Sequence, residues 1–192
     1  MHKLMASKKV INNVAKSGKK CIKVGILYYI YIIIFIMSTF IGDTDSKIDS
    51  KGRFLFPAAY KKQMKAEEGE IKFVVKKSLY KKCLELYPIS EWEIHVDKLR
   101  KRLNPYNRKH SEFITEFYRN TAEVGLESNG RILLPKRLLE ISGINKDIIL
   151  TGVGPIIEIW SEDVYNSSQM NEEAFENLAE EILGSNENSI NL

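Results

Sequence analysis

Two arginines, each following a glycine in a repeated nine-residue string, have the type and spacing to do chemistry. Asp49-Ser50-Lys51-Gly52-Arg53-Phe54-Leu55-Phe56-Pro57 is echoed by Glu127-Ser128-Asn129-Gly130-Arg131-Ile132-Leu133-Leu134-Pro135. Both read acid, two polar residues, Gly-Arg, three apolar residues and Pro, with equivalent positions 78 residues apart. A constant offset marks an internal duplication. An arginine held on a tight turn presents a rigid fork of donors, which suits guanine O6 and N7 in the major groove of DNA. The bland alternative is a salt bridge to the acid four residues earlier. An exposed pair of that kind contributes only about 0–1 kcal/mol, too little to account for the whole formula standing in both halves. For Arg53 the reading is base or phosphate contact. For Arg131, DNA contact and a structural pair with Glu127 both stay open. Asp49 and Glu127 are expected to orient the arginines, and Gly52 and Gly130 to make the turns. Lys51 and Lys47 are placed for phosphate contacts that position without specifying. Asn129 stands where the first loop has Lys51 and is its DNA-facing counterpart.

Other chemistries find no support. No nucleophile elbow, P-loop, dinucleotide fingerprint or metal-ligand spacing occurs. His2, His95 and His110 are isolated, and Cys21 and Cys83 form neither a zinc pattern nor a disulfide framework. Asp49 and Glu127 are not a free carboxylate pair, since each has an arginine four residues on. The expectation is a non-enzyme without metal, cofactor or small-molecule ligand.

The net charge of +4 is a poor argument for nucleic acid, because it is unevenly spread. Residues 1–36 hold seven lysines and no acid, and after Lys146 there are ten acids and no base. Residues 37–146 carry +7, so the basic middle is the better argument.

The elements that must position the arginines repeat as well. In the first half, Phe40–Ile48 and Phe54–Phe56 read as strands about the Lys51-Gly52 turn. Pro57 suits the first turn of a helix over 58–66, with Gly69 as its stop. Strands at 71–75 and 83–87 follow, with Lys76, Lys77, Lys81 and Lys82 assigned to the loop between them. The unit is β–turn–β–α–β–β. In the second half, Ala122, Val124 and Leu126 alternate as a strand, and Asn129-Gly130 predicts a type I′ hairpin turn. A helix opened by Pro135 and closed by Gly143 precedes strands at 148–150 and 156–160. There Ile157-Glu158-Ile159-Trp160 matches Leu84-Glu85-Leu86-Tyr87. Between the halves, Ser90 is the expected N-cap of a helix with a Trp92, Val96, Leu99, Leu103 stripe. A second helix, over 106–119, is expected to bury Phe113, Ile114 and Phe117. The basic faces of both helices read as solvated. An acidic helix over 170–183 lines up Phe175, Leu178, Ile182 and Leu183, for packing on the body or on an oligomer neighbour. Beyond Ser185 the chain reads as frayed.

Residues 1–36 stand apart. Val24–Gly42 is uncharged and long enough for a signal anchor behind a lysine-rich head. The other reading takes Met37 as the start, leading directly into the first strand. Met37 is the expectation, and a membrane is not.

An acid-x-x-Gly-Arg turn entering an apolar strand and Pro, repeated once after two intervening helices, resembles the MraZ family over about residues 38–183. The resemblance implies a mixed α+β, mainly β fold. It consists of tandem AbrB/SpoVT-like swapped-hairpin modules in a pseudo-twofold double-ψ-like barrel with peripheral helices. The modules fall at 37–90 and 121–168, with a helical connector at 91–120 and an acidic helix and tail at 169–192. The family's D-x-x-x-R motif maps onto Asp49 with Arg53, and onto Glu127 with Arg131. The resemblance implies a bacterial transcriptional regulator in the cytoplasm, at the nucleoid, assembled as a ring-shaped homo-oligomer. It implies binding to double-stranded DNA at promoter direct repeats of the division and cell-wall gene cluster, its own gene included. Two alternatives remain: an antitoxin-like AbrB-fold module whose partner is a protein, and a membrane-tethered regulator.

Overall fold

A computed structural model describes residues 39–64 and 70–184. The leader, the candidate anchor up to Ser38, Gly69 and the tail from Ser185 lie outside the described residues. The strands among the described residues are β1 (Phe40–Lys47), β2 (Arg53–Leu55), β3 (Lys72–Lys77), β4 (Cys83–Pro88), β5 (Thr121–Gly125), β6 (Arg131–Leu133), β7 (Asp147–Gly154) and β8 (Ile156–Ser161). The helices among the described residues are α1 (Ala58–Gln63), α2 (Ile89–Arg100), α3 (Arg108–Arg119), α4 (Lys136–Ser142), α5 (Glu162–Ser167) and α6 (Glu172–Gly184). The β–turn–β–α–β–β unit therefore occurs in both halves.

The halves exchange strands. A six-stranded antiparallel sheet runs β1-β7-β8-β4-β3-β5, and β2 pairs with β6 in a two-stranded ribbon. In each half the first strand thus joins the other half's sheet strands, β1 against β7 and β5 against β3. Duplicated positions face each other where the halves meet: Phe54 opposite Ile132, and Glu85 opposite Glu158. The duplication is therefore a pseudo-twofold arrangement about those two ladders.

Period-two alternation sends one set of side chains to each face of the sheet. Phe40, Phe73, Val75, Leu84, Leu86, Ile148, Leu150, Ile157 and Ile159 build the main core. The ribbon contributes Phe54 and Ile132, α1 contributes Tyr60, and α4 contributes Leu138. Burying such side chains stabilises by about 1.5–3 kcal/mol each and seats the ribbon on the sheet. Tyr60 reaches the carbonyls of Gly42 and Leu150, clamping β1 to β7. The opposite face carries a polar row across all six strands: Asp43, Thr151, Glu158, Glu85, Lys76, Thr121. Lys76 bonds Glu85 at 2.8 Å, and Lys81 bonds Glu158 at 2.7 Å, so each of the facing carboxylates has its own ammonium.

Several expectations change. Lys76 and Lys77 belong to β3 and not to the loop, because Glu85 and the Phe117 ring give the buried Lys76 ammonium partners. Helix α1 ends at Gln63, where Met64 turns extended. Helix α2 starts straight off β4 with Pro88 as its cap, so Ser90 lies inside it. Helix α3 starts two residues later than expected, capped by the Asn107 side chain. Phe113 is 39% exposed and Ile114 only half-buried, while Phe117 is buried and stacks on Trp92 at 5.7 Å. Helix α6 forms, and none of its residues is fully buried.

Candidate nucleic-acid interface

Both Gly-Arg loops have one backbone design. Gly52 N–H donates to Asp49 O at 2.9 Å, and Gly130 N–H donates to Glu127 O at 2.8 Å. The acid's own N–H then donates to the arginine carbonyl, Asp49 to Arg53 and Glu127 to Arg131, each at 2.8 Å. Gly52 and Gly130 have φ of 86° and 78°, and no other residue type among those described has positive φ. Asn129 is therefore not left-handed, and the type I′ expectation is wrong. Each loop is a type I-like turn closed by a left-handed glycine, the three-residue form in which glycine absorbs the strand twist. A β-carbon on Gly52 would lie 3.1 Å from Leu134 O.

The ribbon joins the loops head to tail. Phe56 N–H donates to Gly130 O and Leu134 N–H to Gly52 O, each at 2.9 Å. Arg53 lies opposite Leu133, and Arg131 opposite Leu55. With Phe54 and Ile132 turned into the core, those four residues share the outer face, and both leucines stay about half exposed.

The side chains differ between the loops. Asp49 Oδ1 accepts from Lys51 N–H and Arg53 N–H, both at 2.9 Å. Its Oδ2 accepts from Arg53 Nε at 2.9 Å and lies 2.9 Å from Nη2. The Arg53 backbone N–H above all, then its guanidinium and the Lys51 N–H, hold the Asp49 carboxyl down at about 2. The Glu127 carboxylate, unlike that of Asp49, is not paired with the arginine of its own loop. Its Oε2 accepts from Asn129 Nδ2 at 3.0 Å, and Asn129 Oδ1 accepts from Arg131 N–H at 2.9 Å. The extra methylene carries the Glu127 carboxylate past the loop amides, and Asn129 takes the bracing place that Asp49 holds in the first loop. The Arg131 guanidinium instead turns to Asp49, with Nη1 3.8 Å from Oδ2.

The structure thus brings Arg53, Arg131 and Asp49 together. Lys51 is exposed at the tip of the first loop and makes no ion pair among the described residues. Lys47, at the end of β1, pairs with Asp147 at 2.9 Å while 71% exposed. Two things escaped sequence reasoning: Asp49 serves both arginines, and Leu55 and Leu133 lie between them. The constant offset carried the signal, since duplicated strands that pair about a pseudo-twofold axis bring equivalent residues together. A groove along β5 beside the loops is lined by Glu70, Glu123 and Glu127 as well as Lys51 and Lys136. Its acids outnumber its lysines and would repel phosphate. Among the described residues no group of three or more His, Cys, Asp or Glu is placed for a metal. Burial lifts the Cys83 thiol to about 12, which keeps it unreactive. No helix among the described residues is long and apolar enough to cross a membrane.

Comparison with known proteins agrees with this architecture. The family model described as MraZ protein, antitoxin-like, matches residues 39–111 and 117–186. The transcriptional regulator MraZ of Flavobacterium psychrophilum is 38% identical over 151 residues, covering 77% of this chain and 94% of the relative. That of Christiangramia forsetii is 39% identical over 152 residues, covering 79% and 97%. That of Syntrophomonas wolfei is 36% identical over 146 residues, covering 75% and 96%.

Proposed function

The chain belongs to the MraZ family, and from that premise we propose that it is a sequence-specific, DNA-binding transcriptional regulator. The observation that carries the reading is the meeting of two arginines on one rigid ribbon, both turned to Asp49 and both partly open to solvent. Asp49 takes Nε and one face of Nη2 of Arg53, which leaves the outer edge of the guanidinium for a base. A fork fixed before contact loses less side-chain freedom on binding, and a bidentate contact to guanine contributes about 1–3 kcal/mol of discrimination. Leu55 and Leu133 are placed to meet thymine methyl groups, and Lys51 a phosphate. Lys47, already paired with Asp147, contributes less, and Asn129 acts on DNA through the shape of its loop.

On this reading the exchanged strands are the swapped hairpins of two AbrB-like modules, 37–90 and 121–168, joined by the helices of 91–120. One ribbon reads few base edges. A ring-shaped homo-oligomer on direct repeats would multiply them, raising affinity through effective concentration. The place of action is the cytoplasm, at the nucleoid, on the promoter of its own gene cluster. Gel retardation with the DNA upstream of the chain's own gene, run across a salt series, tests the reading. Retardation of that DNA should survive salt that releases scrambled DNA of equal length. Equal release of both would leave only non-specific binding and favour a protein-binding role.

A further inference from the structure

We propose that helix α6 of one copy docks in the groove between α2 and α3 of a second copy. This deepens the oligomeric part of the reading above and rests on it for the choice of a second copy. The two surfaces are complementary in charge and in apolar content. Helix α6 carries five glutamates and no base. Residues 98–109, the end of α2 and the turn into α3, carry six lysines and arginines and no acid. On α6, Phe175 and Leu183 are 64% and 69% exposed, and Leu178 shares their side of the helix. At helical spacing Glu176 and Glu181 flank that stripe, with Glu172 at its N-terminal end. The groove has an apolar floor of Leu103, Pro105, Ile114 and Tyr118, with Arg100 and His110 in its wall. It holds about 400 Å³, room for the two or three large side chains that such a stripe supplies. The apolar floor distinguishes the groove from a plain phosphate-binding surface, and α6 matches both the floor, with its apolar stripe, and the basic rim, with its glutamates. The contact is heterologous, helix of one copy to groove of the next, and so builds a closed ring or a filament.

The test is the mass of the purified full chain by light scattering, with two charge-reversed variants. One is Glu172→Lys, Glu176→Lys and Glu181→Lys; the other is Arg100→Glu, Arg102→Glu and Lys109→Glu. All six side chains except Arg100, which borders the groove, lie outside it and on the surface, so helix content should match the parent. Either variant alone should need about 100-fold higher concentration to assemble, as like charges face each other across the contact. Mixing the two should restore assembly, because each reversed helix then meets a reversed groove. Parent-like assembly by either variant alone would overturn the proposal. So would failure of the mixture where a chain carrying all six changes assembles, which would place α6 on its own groove. A parent that stays monomeric would instead remove the oligomeric reading itself.

Discussion

The two Gly-Arg loops share a backbone and differ in their bracing. In the first, one carboxylate holds two loop amides and the arginine it serves. In the second, the task is split: Asn129 holds the loop and Glu127 holds Asn129, which leaves Arg131 to lean toward Asp49 at 3.8 Å. The contrast teaches that the duplicated formula conserves a turn, while the arginine's constraint depends on one methylene of the acid. The first loop presents a fixed fork. The second presents a looser one tied to the first loop's carboxylate.

Breaking this contrast from the strong side has the largest expected effect. Arg53→Ala should weaken binding to repeat-containing DNA by about 100-fold, as bidentate losses of about 1–3 kcal/mol multiply across repeated subunits. Gel retardation checks it, with Tm and assembly mass unchanged. Asp49→Ala comes next, at about 30-fold, because it frees both guanidiniums; Glu127→Ala should cost about threefold, since it touches neither. If the two acid variants weaken binding equally, the asymmetry is wrong. Arg131→Ala should fall between them, at about tenfold.

The glycines sharpen the same comparison through stability. Gly52→Ala strains φ and crowds Leu134 O, so it should cost about 1–2 kcal/mol by urea unfolding; Gly130→Ala, with only Leu55 Cδ1 nearby, should cost about 1 kcal/mol. The smallest effect is that of pH. Asp49 is lowered from its ordinary value to about 2, so its contribution to stability is complete above pH 3.8 and is lost as pH falls through 2. Its bracing therefore stays constant across the physiological range. His95 is held below its usual value by burial and then by Lys76. The unfolded chain thus takes up that proton first, and Tm should fall slightly as pH drops below 6.5. His95→Gln should remove that slope and leave DNA binding untouched.

Much of the fold was legible because strands and turns carry local signals. The Gly-Arg loops, the Pro-opened helices and both β–turn–β–α–β–β units follow from residues close in sequence. What was not legible depends on partners far along the chain. Lys76 looks like a loop lysine until Glu85 and Phe117 arrive to pair its ammonium. Asn129-Gly130 has the composition of a type I′ turn. Yet the Glu127–Asn129 and Asn129–Arg131 bonds fix the alternative. Phe113 has the spacing of a core residue and lies on the same side of α3 as Phe117, but only Phe117, one turn on, reaches Trp92. At the site, the arginines were legible as a pair, while their shared carboxylate required the β2–β6 ladder, whose partners lie nearly eighty residues apart.

The central claim is that Arg53 reads bases, and the ratio of affinities for upstream DNA and for its scrambled counterpart tests it most directly. The measurement compares the parent chain with Arg53→Ala at one fixed salt concentration. The account predicts that the variant's preference for upstream DNA falls by about 100-fold, while its affinity for scrambled DNA stays close to the parent's. A variant that keeps the parent's preference for its own upstream DNA would contradict it.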